Sequence, residues 1–277
     1  MSTNENKGKK AEVTALQAIS AEDRKDWISV AFVQAGICVC VPAFLLGALL
    51  AEAMPIWPAI ISGSLGYLIV VVGMVATGMI GCDLGLASCT CCQAGFGKSG
   101  ARFIVSTIFA VNMIGWFGIQ NGVCGEAFSN AMLAMTGWDI PVVVSNTIWG
   151  IIMLLTAVYG VHALEKLDKI SIPLLMIIMC YGTFLAFKVY GTGNLNDEGT
   201  VQSMSFMSGV ALSFNFTAVG TITGPDYTRF QKSRKDTVKS VFYGVFPMGV
   251  ITLIMGIVLT KLSGQYDICL LYTSDAA

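Results

Sequence analysis

Charge is what this sequence has least of. Aspartate, glutamate, lysine and arginine make up 12% of its 277 residues, against roughly 25% in a soluble domain, which excludes an ordinary water-soluble fold. Histidine occurs once, at His162 beside Glu165 in a connection, where it reads as a solvated residue. The apolar stretches contain no clustered Ser/His/Asp, Cys/His or paired-carboxylate set, so enzyme chemistry is not expected. A net charge of −1 with no basic stripe gives nothing to match phosphates, which excludes nucleic acid as a partner. Nine cysteines are present, but Cys82, Cys89, Cys91 and Cys92 fall in a connection expected to face the reducing cytoplasm, so no disulfide framework is expected. The run Cys89-Thr-Cys91-Cys92 invites a zinc reading but has no nearby histidine to complete a ligand set. No cofactor is expected.

Long apolar runs are there in quantity. Hydrophobic residues make up 55% of the chain, in seven segments at 28–51, 58–80, 102–135, 141–160, 170–190, 202–224 and 240–262, most near the roughly 20 residues of a spanning helix. The fold class is therefore all-α integral membrane with seven transmembrane helices. The third segment is long enough to tilt strongly or to project beyond the bilayer. Trp27, Trp57 and Trp138 fall at span ends, where aromatic belts form. Trp116 and Trp149 fall inside spans and need another explanation.

Residues 1–27 read as a solvated cytoplasmic tail, 28–262 as the membrane domain and 263–277 as a C-terminal tail leading into no further span. Fourteen of the sixteen lysines and arginines lie in the N-terminal tail or in every second connection, and only Lys188 and Lys261 lie on the other side. The positive-inside rule then places the N-terminus in the cytoplasm of a cell in whose plasma membrane the chain resides.

Polar residues inside spans mark candidate sites. In the first span, Pro42 has no N–H for the carbonyl of Cys38 and its ring crowds that turn, so the helix should loosen around 36–40. Freed carbonyls there suit a cation; a simple kink relieved by a neighbouring helix is the alternative. In the third, Asn112, Trp116 and Gln120 recur every four residues and share one stripe. A flat aromatic beside an amide suits a planar, hydrogen-bonding ring, while core packing and interhelical hydrogen bonding are the alternatives. Glu126, further along that helix, is either a functional carboxylate or a solvated one near the interface. The stretch 202–230 combines Gly209, Gly220 and Gly224 with Ser213, Asn215, Thr217, Thr221 and Thr223, which compete for backbone hydrogen bonds. It reads either as a helix broken to make a binding site or as a continuous helix whose small residues pack closely.

Four pieces in order, Gln34-Ala35-Gly36, the GFGKSG of 95–100, the GWFGIQ of 115–120 and the GTITGPDYTRF of 220–230, resemble the nucleobase:cation symporters, the purine-cytosine permease family. The resemblance covers about residues 27–262. It implies a LeuT-like transporter of two inverted five-helix repeats plus two helices, with the first and sixth spans broken. It implies a small heterocyclic substrate such as cytosine, a purine, hydantoin or allantoin, imported with sodium or a proton as coupling ion. A tryptophan matching Trp116 stacks on the heterocycle, a glutamine matching Gln120 hydrogen-bonds it, and carbonyls matching Gly36 and Val39 hold sodium. Cys40 and the segment Phe214, Asn215, Phe216 and Thr217 complete the expected substrate side. Thr217 departs from the family pattern, which has an aromatic there, and Phe214 or Phe216 is expected to compensate. The family has about twelve spans, so this chain reads as a truncated transporter lacking the eighth-span cation ligands, and coupled transport by these residues alone is not expected. An amino-acid permease of the same architecture and a non-transporting receptor or structural bundle remain as other readings.

Overall fold

A computed structural model describes residues 16–158, 161–192, 195 and 204–264, except for the side chains of 158 and 161–168. The tail segments 1–15 and 265–277 and the side chains of His162 and Glu165 lie outside the described residues. Those residues are helical apart from short connections and one isolated bridge, Lys25 with Gln231. In chain order the helices are α1 (Trp27–Cys38), α2 (Val41–Ala53), α3 (Ile56–Leu84), α4 (Ser88–Cys91), α5 (Gln93–Gly100), α6 (Ser106–Thr136), α7 (Val142–Val158), α8 (Val161–Tyr190), α9 (Phe206–Thr217), α10 (Val219–Thr228) and α11 (Arg234–Ser263).

Five apolar helices are long enough to cross a membrane, and the bent pair α1 and α2 makes a sixth span. The segment expected at 141–160 forms the shorter α7, about 25 Å long at 1.5 Å per residue. The third span enters through a π-helical turn at Ala101–Val105, and α6 alone is about 46 Å long. It must tilt or project from a hydrocarbon core about 30 Å thick.

The first span breaks where the sequence suggested. Helix α1 ends at Cys38, Val39 leaves the helical region (φ −88°, ψ 73°), Cys40 is extended, and the axis bends by 52°. Pro42 occupies the first turn of α2, a position where its missing N–H leaves nothing unpaired. It therefore starts the second half-helix rather than kinking one continuous helix.

The break expected in the sixth span is far slighter. Ala218, between α9 and α10, keeps right-handed helical dihedrals (φ −54°, ψ −32°), and Phe206–Thr228 counts as one span. Its hydroxyls fasten it to α3 and to itself. Ser213 donates to the Gly63 carbonyl at 2.7 Å and Thr228 to that of Gly78 at 2.7 Å, while Thr77 of α3 donates to the Thr221 carbonyl at 2.6 Å. Thr217 and Thr223 donate back to Ser213 and Val219. The small residues thus serve close packing, since without a hydrophobic drive in lipid helices associate through backbone approach and interhelical hydrogen bonds.

The core lies where α3 and α11 meet α1, α2, α9 and α10, around Tyr67, Leu46, Leu50, Met74, Leu253 and Ile257. At the α2–α11 crossing a Cβ on Gly47 would overlap the Leu253 carbonyl oxygen, and one on Gly256 that of Phe44. Only glycine permits this approach. Helices α6 and α7 form a hairpin on the flank, with Ser145 donating to the Gly125 carbonyl at 2.7 Å.

Part of the stretch expected to be a solvated tail is docked. Ile19 is buried and its N–H bonds the Gly85 carbonyl at 2.9 Å, the Lys25 N–H bonds Phe230 at 2.7 Å, and the Arg24 guanidinium donates to the carbonyls of Cys82 (3.0 Å) and Gln231 (2.8 Å). The ends of α3 and α10 are thereby tied to the start of α1.

Candidate functional site

The break in the first span faces the aromatic stripe of α6. Trp116, half-buried, packs edge-to-face on Phe216 of α9, with centroids 5.2 Å apart and planes at 86°. Gln120, one turn along, stands beside Cys40 at the break, whose thiol donates to the Ile37 carbonyl at 3.3 Å. Residues from three segments of sequence therefore meet: Cys40 between α1 and α2, Trp116 and Gln120 on α6, and Phe216 on α9. An edge-to-face partner fixes the indole plane. The Gln120 carboxamide both donates and accepts, so it suits a hydrogen-bonding ligand.

The remaining expected residues are placed less centrally. Phe214 and Thr217 are half-buried on α9, with the Thr217 hydroxyl turned back to its own helix at 2.9 Å. Asn215 is exposed, as are Asn112 and Glu126 on α6. Phe216 alone of the four α9 candidates has a ring contact with Trp116. Beside the break, no backbone N–H among the described residues is paired with the carbonyl oxygens of Gly36 or Val39. Two unpaired carbonyls one turn apart are a donor set suited to a hard cation.

Tyr67 was missed from sequence. It is buried on α3, its ring fills the space opposite Gly249, and its phenol stands within electrostatic reach of Cys38 and Cys40. A lone tyrosine in an apolar run carries no sequence signal. Trp149, the other unexplained tryptophan, packs edge-to-face on Phe128 at 5.6 Å and belongs to the α6–α7 hairpin.

A cavity of about 330 Å³ opens beside the candidate site towards the end of the bundle where the N-terminal strap, residues 19–26, docks, between the start of α1, Phe109 and Met113 of α6, and Thr223, Asp226 and Tyr227 of α10. The cysteine cluster takes no part in either place. Burial pushes the thiols of Cys89 and Cys91 up from their ordinary values. Among the described residues no three His, Cys, Asp or Glu side chains group to hold a metal, and the eight described cysteines are free.

A helical membrane bundle with one span broken beside an aromatic–amide pair is the layout of a membrane permease. Residues 19–274 match the family described as permease for cytosine/purines, uracil, thiamine, allantoin, and the chain belongs to that family. The cytosine permease of Escherichia coli strain K12 is 26% identical over 249 residues, covering 88% of this chain and 57% of that protein. A purine-uracil permease of Arabidopsis thaliana is 25% identical over 247 residues, covering 79% and 41%. Among solved structures, Mhp1, a nucleobase-cation-symport-1 family transporter in a closed conformation with bromovinylhydantoin bound, superposes with a TM-score of 0.84 at 17% identity, covering 96% of this chain and 61% of that one. The all-helical fold is therefore shared with Mhp1. The chain spans about half the length of the curated relatives it matches.

Proposed function

We propose that this chain forms the substrate-holding part of a secondary transporter that imports a nucleobase or a related heterocycle, such as hydantoin or allantoin, by cation symport. The observation that carries the reading is the convergence of Trp116, Phe216, Gln120 and Cys40 at the one strongly bent span. A planar ring stacks on the indole that Phe216 holds in place, and Gln120 bonds the ring's amide-like edge, since a carboxamide both donates and accepts. Phe214, Asn215 and Thr217 border the ring on the α9 side.

Sodium or a proton is the coupling ion, and the carbonyls of Gly36 and Val39 hold the cation where sodium is used. Their position next to Cys40 joins the two sites through one short stretch of backbone. A cation that straightens or clamps 36–40 alters the wall against which the heterocycle rests, which is a direct route to coupling. The site lies in a plasma membrane, within a membrane domain of 28–262 flanked by a cytoplasmic tail of 1–27 and a C-terminal tail of 263–277.

Equilibrium binding of radiolabelled cytosine, uracil, adenine and hydantoin to the chain in lipid nanodiscs, with and without sodium, tests the reading. Saturable binding of one or more of them, competed by the others and not by free amino acids, is the expected result. Competition by amino acids alone would overturn it.

A further inference from the structure

The cavity on the strap side of Trp116 has the build of a ligand site in its own right. We propose that it is a second station for the same class of heterocycle, on the path between the Trp116–Gln120 site and the end of the bundle covered by residues 19–26; this rests on the reading of that first site. Its volume of about 330 Å³ lies at the small end of ligand pockets, which run to roughly 300–1,000 Å³ and combine apolar walls with a few placed polar groups.

The walls and the polar groups both fit a planar ring with donors along one edge. Phe109 and Tyr227 supply aromatic faces from α6 and α10. Thr223 donates its hydroxyl proton to the carbonyls of Val219 (3.1 Å) and Gly220 (3.4 Å), so its oxygen offers only acceptor lone pairs to the cavity. The Asp226 carboxylate is steadied by the Ser88 N–H at 3.0 Å on one oxygen and keeps further lone pairs. Residues three apart on a helix are surface neighbours, so these acceptors sit side by side and match the amine and ring N–H of a nucleobase. Lys25 on the lining disfavours a cationic ligand.

The two stations share one helix face. Phe109, Met113, Trp116 and Gln120 are spaced by four, three and four residues and so form a single stripe on α6. Phe109 and Trp116 are seven residues apart, about 10 Å along the axis. A ring leaving the indole therefore finds the next aromatic about two helical turns along the same face.

Equilibrium dialysis of the 277-residue chain in lipid nanodiscs against radiolabelled cytosine and hydantoin tests this by stoichiometry. Two equivalents are expected. Phe109→Ala should weaken one of them by about ten- to a hundredfold, the loss of one aromatic stacking contact, and leave the other intact, while Trp116→Ala does the converse. Thr223→Val, close in shape, should weaken the same equivalent as Phe109→Ala. A single equivalent abolished by Trp116→Ala and untouched by both Phe109→Ala and Thr223→Val would overturn the second station and leave the first site standing. One equivalent weakened by Phe109→Ala and Thr223→Val but indifferent to Trp116→Ala would support the cavity and overturn the first site. Binding of neither probe overturns both.

Discussion

At the scale of single residues, the Trp116–Gln120 pair was legible because both features have sequence signals. The four-residue spacing puts the side chains on one face, and an amide inside a span is conspicuous. Phe216 could not be told from Phe214 in the sequence, because which of two phenylalanines faces α6 depends on how α9 is rotated by its Ser213 bond to α3. Trp116→Ala should weaken heterocycle binding about ten- to a hundredfold, since base–aromatic stacking is worth about 1–3 kcal/mol. Gln120→Ala should change the preference order across a panel of nucleobases as well as affinity. Wild-type affinities and an unchanged order in both variants would return these residues to packing. Outside the spans, burial raises the thiols of Cys89 and Cys91. A raised value means less thiolate at a given pH, so both should alkylate more slowly at neutral pH than an unstructured cysteine peptide, with the deficit closing as pH rises. Alkylation of single-cysteine variants between pH 7 and 10 reads this directly.

Among elements, proline marked the first-span break, while the glycines and hydroxyls of 202–230 fitted a broken helix and a closely packed continuous one equally. Such residues weaken an isolated helix, yet Ser213, Thr77 and Thr228 form interhelical hydroxyl–carbonyl bonds that hold α9 and α10 against α3. A one-dimensional pattern does not distinguish a hydroxyl that disrupts its own helix from one that bonds a neighbour. The break in the first span matters through its backbone. Gly36→Leu should displace the 36–39 carbonyls and shift the sodium titration of cytosine binding to higher concentration, and an unchanged titration would remove Gly36 from the cation site. The α2–α11 crossing is tighter still. A leucine at Gly256 would have to occupy space held by the Phe44 carbonyl, and overpacking of this kind costs about 1–3 kcal/mol and at times more. Gly256→Leu should lower the midpoint of thermal unfolding in detergent well beyond Gly115→Leu, where an added Cβ meets nothing within 4 Å.

For the whole molecule, hydropathy located the five long apolar helices and the bent first span, because a bilayer demands long apolar helices whatever their partners, but it also counted as a seventh span the segment that forms the shorter α7. Which helices pair was not legible, since helices apolar on all sides present no face to read. Contacts now bear on orientation. The Arg24 bonds to Cys82 and Gln231, the Ile19 bond to Gly85, the Ser88 bond to Asp226 and the Lys232–Asp26 ion pair gather the N-terminal strap, the end of α3 and the α10–α11 connection at one end of the bundle. Arg24, Lys25, Arg229, Lys232 and Arg234 therefore share a side, as the positive-inside rule requires if that side is cytoplasmic. Single cysteines at Ser2, Lys235 and Asp139 in a cysteine-free background test the assignment. Lys235 is chosen over its neighbour Ser233 because the latter caps α11 through the Asp236 N–H at 3.1 Å. An impermeant maleimide added to intact cells should label Asp139→Cys, at the opposite end of α6, and leave Ser2→Cys and Lys235→Cys unlabelled until the membrane is permeabilised. Labelling of Ser2→Cys and Lys235→Cys from outside, with Asp139→Cys protected, would invert the molecule.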